Sequence, residues 1–422
     1  MLLRRLKEAG AEDRLWLTQF GFRSQCGTAD ALFLARRAIE EAHAQKQGKV
    51  ILLALDLAKA FDSISPAALT KALIRFGVPN EFVAMIEAIY VNRVFVVKDA
   101  GQQSMWHEQR FGICQGCPLS PFLFVIVMSV LMADARQALA ASGYTLSADL
   151  AFHDLLYADD TLLIDVHEAT IQQFMDCVGL AGGEYGLTFN WSKLEALIVR
   201  TDATIRKPDG SAVAAKGAMV YLGGLLSGDG RIGPELGRRI GLAQADFRSL
   251  QRVWSHSALS HAKKLRIFET CVASRALYGL HTAWLNQSER RRLDGFHARC
   301  MRRILGIPAA FYSRISNAEV LRQAGTRALS ASLLHRQLMY FAHISRRPAG
   351  SPLRDSVFEP GTVKLRSKTF ERRVGRPRTA WSDAVHRIAL QIAGTPAHLE
   401  EMMCSGRQQH RWRAAVSQHC YQ

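Results

Sequence analysis

The chain has 422 residues, 48% of them apolar, enough to bury two or three ordinary cores and to exclude a disordered chain. Its net charge of +17 is unevenly placed: residues 1–200 carry 18 basic and 22 acidic side chains, whereas residues 201–422 carry 36 and 15. The +21 half indicates a polyanion partner, nucleic acid before membrane. The longest apolar run, Phe122 to Ala133, is too short to span a bilayer, and charges interrupt Met1 to Gln19, so a soluble, intracellular protein is expected.

Residues 1–48 have helical spacing, most clearly from Ala29 to Ala44. The continuous apolar run Val50 to Leu55, ending in Asp56, predicts a strand buried on both faces. Residues 66–92 return to helical spacing after Pro66, with Asp62 placed to cap the segment that leads there. Leu155-Leu156-Tyr157 and Thr161 to Ile164, separated by Ala158-Asp159-Asp160, predict a hairpin whose tip presents two adjacent carboxylates. Residues 166–186 read as helix, and Leu194 to Val199 and Met219 to Leu226 as strands.

From Arg238 onward the pattern is helical and basic. Ser288 to Gly306 is the clearest case, with Ser288 as cap and Leu293, Phe296, Cys300, Met301 and Ile304 on one face. The other face carries Arg290, Arg291, Arg292, Arg299, Arg302 and Arg303. Residues 345–380, rich in Pro and basic residues, are expected to form an extended linker, and 381–422 one or two small helices.

If the strands bearing Asp56 and Asp159-Asp160 are neighbours, three carboxylates meet although 103 residues separate the first from the second. Hard oxygen donors of this kind suit Mg²⁺ or Mn²⁺, and two such ions serve phosphoryl transfer. An isolated Asp-Asp is far more often only a solvated turn, because Asp is a routine turn former, so the residues alone favour that reading.

Three segments occur in a telling order: Ala54-Leu55-Asp56-Leu57-Ala58-Lys59-Ala60-Phe61-Asp62, Gln115-Gly116-Cys117-Pro118-Leu119-Ser120-Pro121, and Tyr157-Ala158-Asp159-Asp160. Upstream stand Gln19-Phe20-Gly21-Phe22-Arg23 and Asp30. Downstream stand Gly186-Leu187, Asn190, Lys193-Leu194-Glu195 and Tyr221-Leu222-Gly223. Together, over roughly residues 15–310, they resemble the motifs of reverse transcriptases, most closely those of non-LTR (LINE-like) retrotransposons.

The resemblance implies an α+β right-hand polymerase. Its parts are partial fingers (1–48), a palm of antiparallel sheet with packed helices (49–235), a helical thumb (236–310), a helical connector (311–344), the basic linker (345–380) and a small helical C-terminal segment (381–422). It implies that Asp56, Asp159 and Asp160 bind two Mg²⁺ ions, with Mn²⁺ as a substitute and the Leu57 carbonyl as a further ligand. Phe61 becomes the steric gate against a 2′-hydroxyl. Gln115 and Gly116 line the nucleotide pocket, the glycine allowing close backbone approach. Lys193 becomes the general acid toward pyrophosphate, and Tyr221, Leu222 and Gly223 the primer grip. Arg290, Arg291, Arg299, Arg302 and Arg303 would contact nucleic acid.

The implied partners are an RNA template, a DNA primer or RNA–DNA hybrid, and dNTPs, without a membrane; a nuclear location follows by analogy. Two features depart from the family pattern. Cys114 stands where a basic residue is usual, and the finger segment that grips the triphosphate has no counterpart before Gln19. A truncated, non-catalytic nucleic-acid-binding remnant and a group II intron-type maturase are therefore the alternative expectations.

Overall fold

Strand β1 (Val50–Leu55) is almost wholly buried because a neighbour pairs with each of its edges and both its faces are covered. Its partners are antiparallel: β3 (Asp160–Asp165), which pairs in turn with β2 (Asp154–Tyr157), and β4 (Glu195–Val199), to which β5 (Ala214–Lys216) adds in parallel. The order is β2-β3-β1-β4-β5. Leu55 opposes Thr161, so the chain leaves β1 beside the β2–β3 turn.

The computed structural model describes residues 1–114, 116–367, 370–375, 378–404 and 408–421. They fall into two units, 1–31 with 48–222 and 32–47 with 223 onward. The sheet belongs to the first unit, together with helices α1 (Pro66–Phe76), α2 (Ser120–Ala141) and α3 (Glu168–Gly183). Ser65, rather than the expected Asp62, caps α1, its side chain accepting from the Ala68 amide, because Pro66 fixes the first helical position directly after it. Helix α2 is long and apolar enough to cross a membrane, yet Phe122 to Val127, in its apolar first half, are buried in the unit's core.

The second unit is helical: α4 (Gly233–Ser249), α5 (Gln287–Leu305), α6 (Leu329–Ser345), α7 (Trp381–Ala393), α8 (Pro396–Cys404) and α9 (Gln409–Tyr421) are its main elements. Helix α5 starts earlier than Ser288: Asn286 and Glu289 form a capping box, and Ser288 donates to the Asn286 side chain at 2.6 Å. Gly306, in the left-handed conformation, ends it as expected.

Three expectations on chain organisation are corrected. Residues 1–48 are not one piece, because the helix Thr28–Ala44 enters the second unit at Leu32 and sets Phe33 edge-on against Trp381 (4.7 Å) and Tyr340 (5.4 Å). Met219 to Leu226 is two strands, Ala218–Tyr221 and Gly224–Ser227, interrupted by positive φ at Leu222 and Gly223. Residues 352–362, within the stretch expected to be an extended or loosely ordered linker, are packed: Leu353, Val357 and Phe358 are buried, Phe358 lies 5.1 Å from Phe341, and Arg354 donates to the Thr362 carbonyl at 2.8 Å.

Buried His297 on α5 stacks on Phe268 at 5.3 Å, and burial pushes its pKa down to about 4. The unfolded chain, with an ordinary value of 6.5, takes up a proton that the folded chain refuses. Stability is therefore lost as the pH falls from 6.5 toward 4, by about 3 kcal/mol at most. His297→Leu is expected to flatten that slope in urea titrations across this pH range. An unchanged slope would place the acid sensitivity elsewhere.

Candidate active site

The site is assembled by the register of β1 and β3. Asp56 is the first residue beyond β1, and Ala158 and Asp159 make the tight turn between β2 and β3, Ala158 with a positive φ of 59°. Asp160 opens β3, one residue before Thr161, the partner of Leu55. The two carboxylates of the turn have raised pKa values. Asp160 is pushed up to about 6, first by burial of its surroundings and then by the charges of Asp159 and Asp56, with Lys193 opposing. Asp159 is raised by burial and by Asp56.

Lys193 lies 3.4 Å from Asp56 as an ion pair open to solvent. Its segment is pinned to the strand end: the Asn190 amide donates to the Asp56 carbonyl at 2.8 Å, and the Ala58 amide to the Thr188 carbonyl at 2.8 Å. Leu57 pairs with Phe189 across the same junction. Carboxylates held in mutual repulsion, with an exposed ammonium as partial counter-charge, form a donor set suited to a hard divalent cation. Among the described residues no three acidic, His or Cys side chains are already gathered as a closed ligand shell.

The carboxylate turn is braced from below by residues to which the sequence motifs alone assigned no role. Fully buried Gln19 accepts from the Ala158 amide (3.0 Å) and donates to the Ala158 carbonyl (3.2 Å), while the Gly21 amide donates to its Oε1 at 2.8 Å. Gly21 is required here, since a Cβ would stand 2.3 Å from the Ala158 nitrogen. One strand-length away, buried Asp154 accepts from Trp16 Nε1 (2.7 Å), Arg136 Nη2 (2.7 Å) and the Thr18 hydroxyl. The signal for Asp154 was a lone acid opening an apolar strand.

Phe61 stacks on Phe124 at 4.3 Å and meets Phe22 edge-on at 6.3 Å, which fixes its ring. The loop toward the second motif runs beside it: the Ile113 amide donates to the Phe61 carbonyl at 2.7 Å, and a Cβ on Gly112 would meet the Asp62 backbone at 3.0 Å. Gly116 adopts φ +90° with open space around it, so the structure gives conformation, rather than crowding, as its reason. Gln115 lies outside the described residues.

The expected grip is a turn. Tyr221 is buried, with its hydroxyl 3.5 Å from the Leu155 carbonyl, and its pKa is driven upward by burial and by Asp160. Leu222 and Gly223 both have positive φ. In the second unit, the Gly223 carbonyl accepts from Arg238 (2.5 Å) and from Arg239, and buried Glu235 pairs with both arginines.

On α5, Arg291, Arg299 and Arg303 are exposed along one side. Arg302 is corrected: it is buried, donating to the Pro308 and Ile315 carbonyls at 3.0 and 2.6 Å, and so ties down the loop after the helix. Arg290 is half-buried, its guanidinium 4.1 Å from the Trp284 ring.

Residues 1–224 match the family described as reverse transcriptase (RNA-dependent DNA polymerase), ending two residues beyond the first unit. The chain belongs to that family. This reverse transcriptase is 32% identical over 164 residues to the Pol polyprotein of a type-1 retrotransposable element R2 from Nasonia vitripennis, covering 38% of this chain and 15% of that protein. It is 24% identical over 280 residues to the R2 Pol polyprotein of Popillia japonica, covering 64% and 45%. The chain thus spans less than half of either relative. Both names bear out the non-LTR retrotransposon resemblance. Among solved structures, a Candida albicans telomerase in complex with a telomeric RNA fragment aligns with a TM-score of 0.44 and 13% identity, over 77% of this chain and 55% of that one. Reverse transcriptases as a family use divalent metal ions and copy a nucleic-acid template.

Proposed function

We propose that the chain performs RNA-directed DNA synthesis for a non-LTR retrotransposon, extending a primer 3′-hydroxyl with dNTPs. The observation that carries this reading is the convergence of Asp56 with Asp159 and Asp160, next to Lys193, on a turn braced by Gln19. Asp56, Asp159, Asp160 and the Leu57 carbonyl would hold two Mg²⁺ ions, which when bound neutralise charge on the reacting phosphate.

The chain's own residues supply the rest. Phe61, locked by Phe124, walls the sugar pocket against a 2′-hydroxyl. Lys193, exposed at the surface and held near the site by Asp56, donates a proton to the departing pyrophosphate. Gln115 and Gly116 border the nucleotide, and the Tyr221-Leu222-Gly223 turn positions the primer end. The first unit serves as the palm, and the helices from α4 onward, with Arg291, Arg299 and Arg303 exposed, grip the template–primer through its phosphates without reading sequence.

The test is primer extension by purified protein on RNA and DNA templates, in Mg²⁺ or Mn²⁺. Metal-dependent dNTP incorporation on RNA is expected, with none in EDTA. Salt-sensitive binding with no incorporation on any template would overturn the polymerase reading in favour of a non-catalytic nucleic-acid-binding protein.

Gln19 adds a sharper prediction. Losing its three hydrogen bonds costs on the order of 1–3 kcal/mol at the turn, so Gln19→Ala is expected to lower kcat about tenfold or more while KM for dNTP stays near that of the parent. A rise confined to KM would show that Gln19 acts on nucleotide binding and not on the turn.

A further inference from the structure

The second unit contains a cavity of about 1280 Å³, larger than the usual small-molecule pocket, whose walls come from four separated stretches of chain. Arg36, Arg37, Arg231, Arg290, Arg372, Arg373 and Arg378 line it, against Glu40, Asp229, Glu289 and Asp383.

The acids are already engaged. Glu40 accepts from the Trp381 amide at 3.1 Å and pairs with Arg37. Asp229 accepts from the Arg231 amide and the Ser227 hydroxyl, each at 2.8 Å, and Glu289 closes the α5 capping box. Arg37 and Arg231 pair with Glu40 and Asp229, and Arg378 donates to the Asp229 carbonyl, but Arg36 is only partly satisfied. Arg36 is more than nine-tenths buried, and its Nη1 donates to the Gly279 carbonyl and the Thr282 hydroxyl, yet its Nη2 has no hydrogen-bond partner. A buried guanidinium with an unmet donor calls for an anion. At the rim, Arg372 and Arg373 are exposed on a stretch whose backbone bonds to the end of the helix Thr28–Ala44: the Arg373 amide donates to the Ala44 carbonyl at 3.0 Å.

Two flat groups also lie in the lining, Trp284 and the Arg290 guanidinium stacked on it, together with half-buried Phe370. Phosphate-seeking arginines combined with ring and guanidinium faces form the chemistry that recognises unpaired nucleotides. A duplex keeps its base faces inside the stack and offers only phosphates. We propose that this cavity binds a single-stranded segment of nucleic acid, its phosphates on Arg36, Arg372 and Arg373 and a base against the Arg290–Trp284 pair.

The site requires neither the carboxylates nor a metal, so its test is independent of the polymerase reading. Binding of the full-length protein to a fluorescein-labelled single-stranded RNA 12-mer is measured by anisotropy in EDTA over a range of salt. Arg372→Glu with Arg373→Glu, both at exposed positions, is expected to weaken binding at least tenfold and to reduce the slope of log K against log salt by about 1.4, as expected for two lost phosphate contacts. Trp284→Ala is expected to weaken the single strand more than a blunt RNA duplex. Unchanged affinity of the double-Glu protein, or equal losses of single strand and duplex with Trp284→Ala, would overturn the proposal. Failure of primer extension alongside these binding changes would leave the cavity assignment standing and remove only the polymerase reading.

Discussion

Protein carrying Asp159→Ala with Asp160→Ala is expected to lose primer extension by about a thousandfold or more, the scale set when several kcal/mol of charge stabilisation leave a phosphoryl-transfer site. Folding is not expected to suffer. In the parent, burial and neighbouring carboxylates raise Asp159 and push Asp160 up to about 6, so removing these two relieves a cost that the native fold carries at neutral pH. A carboxyl whose folded pKa lies above its ordinary value destabilises the fold as the pH rises through that interval. The variant is therefore expected to melt at the same temperature or higher at pH 7.5, and the difference is expected to vanish near pH 4. An inactive variant that also melts early would attribute the lost activity to misfolding. One that extends primers at the parental rate would remove the carboxylates from the mechanism.

The largest effect on stability is expected at Asp154. It is completely buried at the start of β2 and answers three donors, Trp16 Nε1, Thr18 Oγ1 and Arg136 Nη2. Asp154→Ala leaves two neutral donors and a guanidinium without their acceptor, at a cost of about 3–5 kcal/mol, the range for breaking one side of a buried ion pair. Asp154→Asn keeps an acceptor oxygen and is expected to lose less. Urea unfolding followed by Trp fluorescence reads the difference. Equal small losses in both variants would show that the Trp16–Thr18 segment is held by its backbone bonds to Leu156 and by packing.

What was legible in the sequence was what local chemistry dictates. Val50 to Leu55 had to be a central strand because no other element buries six consecutive apolar residues between turn signals so briefly. Ala158-Asp159-Asp160 had to be a turn, and Gly306 had to close a helix. The proximity of Asp56 to the acidic turn followed once the two strands were taken as neighbours. The misses share a different cause, competition settled by three-dimensional partners. Asp62 and Ser288 are both reasonable caps, but Ser65 and Asn286 stand at the positions from which a side chain reaches the free amides. Arg302 has the helical spacing of an exposed residue, yet the loop 308–315 folds back with carbonyls that need a donor. Residues 345–380 show no apolar period because the buried residues come from one short helical turn, which holds Leu353, and the irregular chain after it, which holds Val357 and Phe358. Gln19 and Asp154 act on residues more than a hundred positions distant or arriving from another element, which no local pattern encodes.

The division of the helix Thr28–Ala44 has a consequence for how the protein is made. Residues 32–47 are synthesised some three hundred residues before Tyr340 and Trp381, whose side chains cover Phe33. At translation rates of about 5–20 residues per second, that apolar stretch waits tens of seconds, on the order of half a minute, for its permanent neighbours. The first unit can close around β1 once residue 222 has emerged, whereas the second must be threaded together from both sides of it. Fragments begun after residue 47 would therefore lack a piece of the second unit's core from the outset.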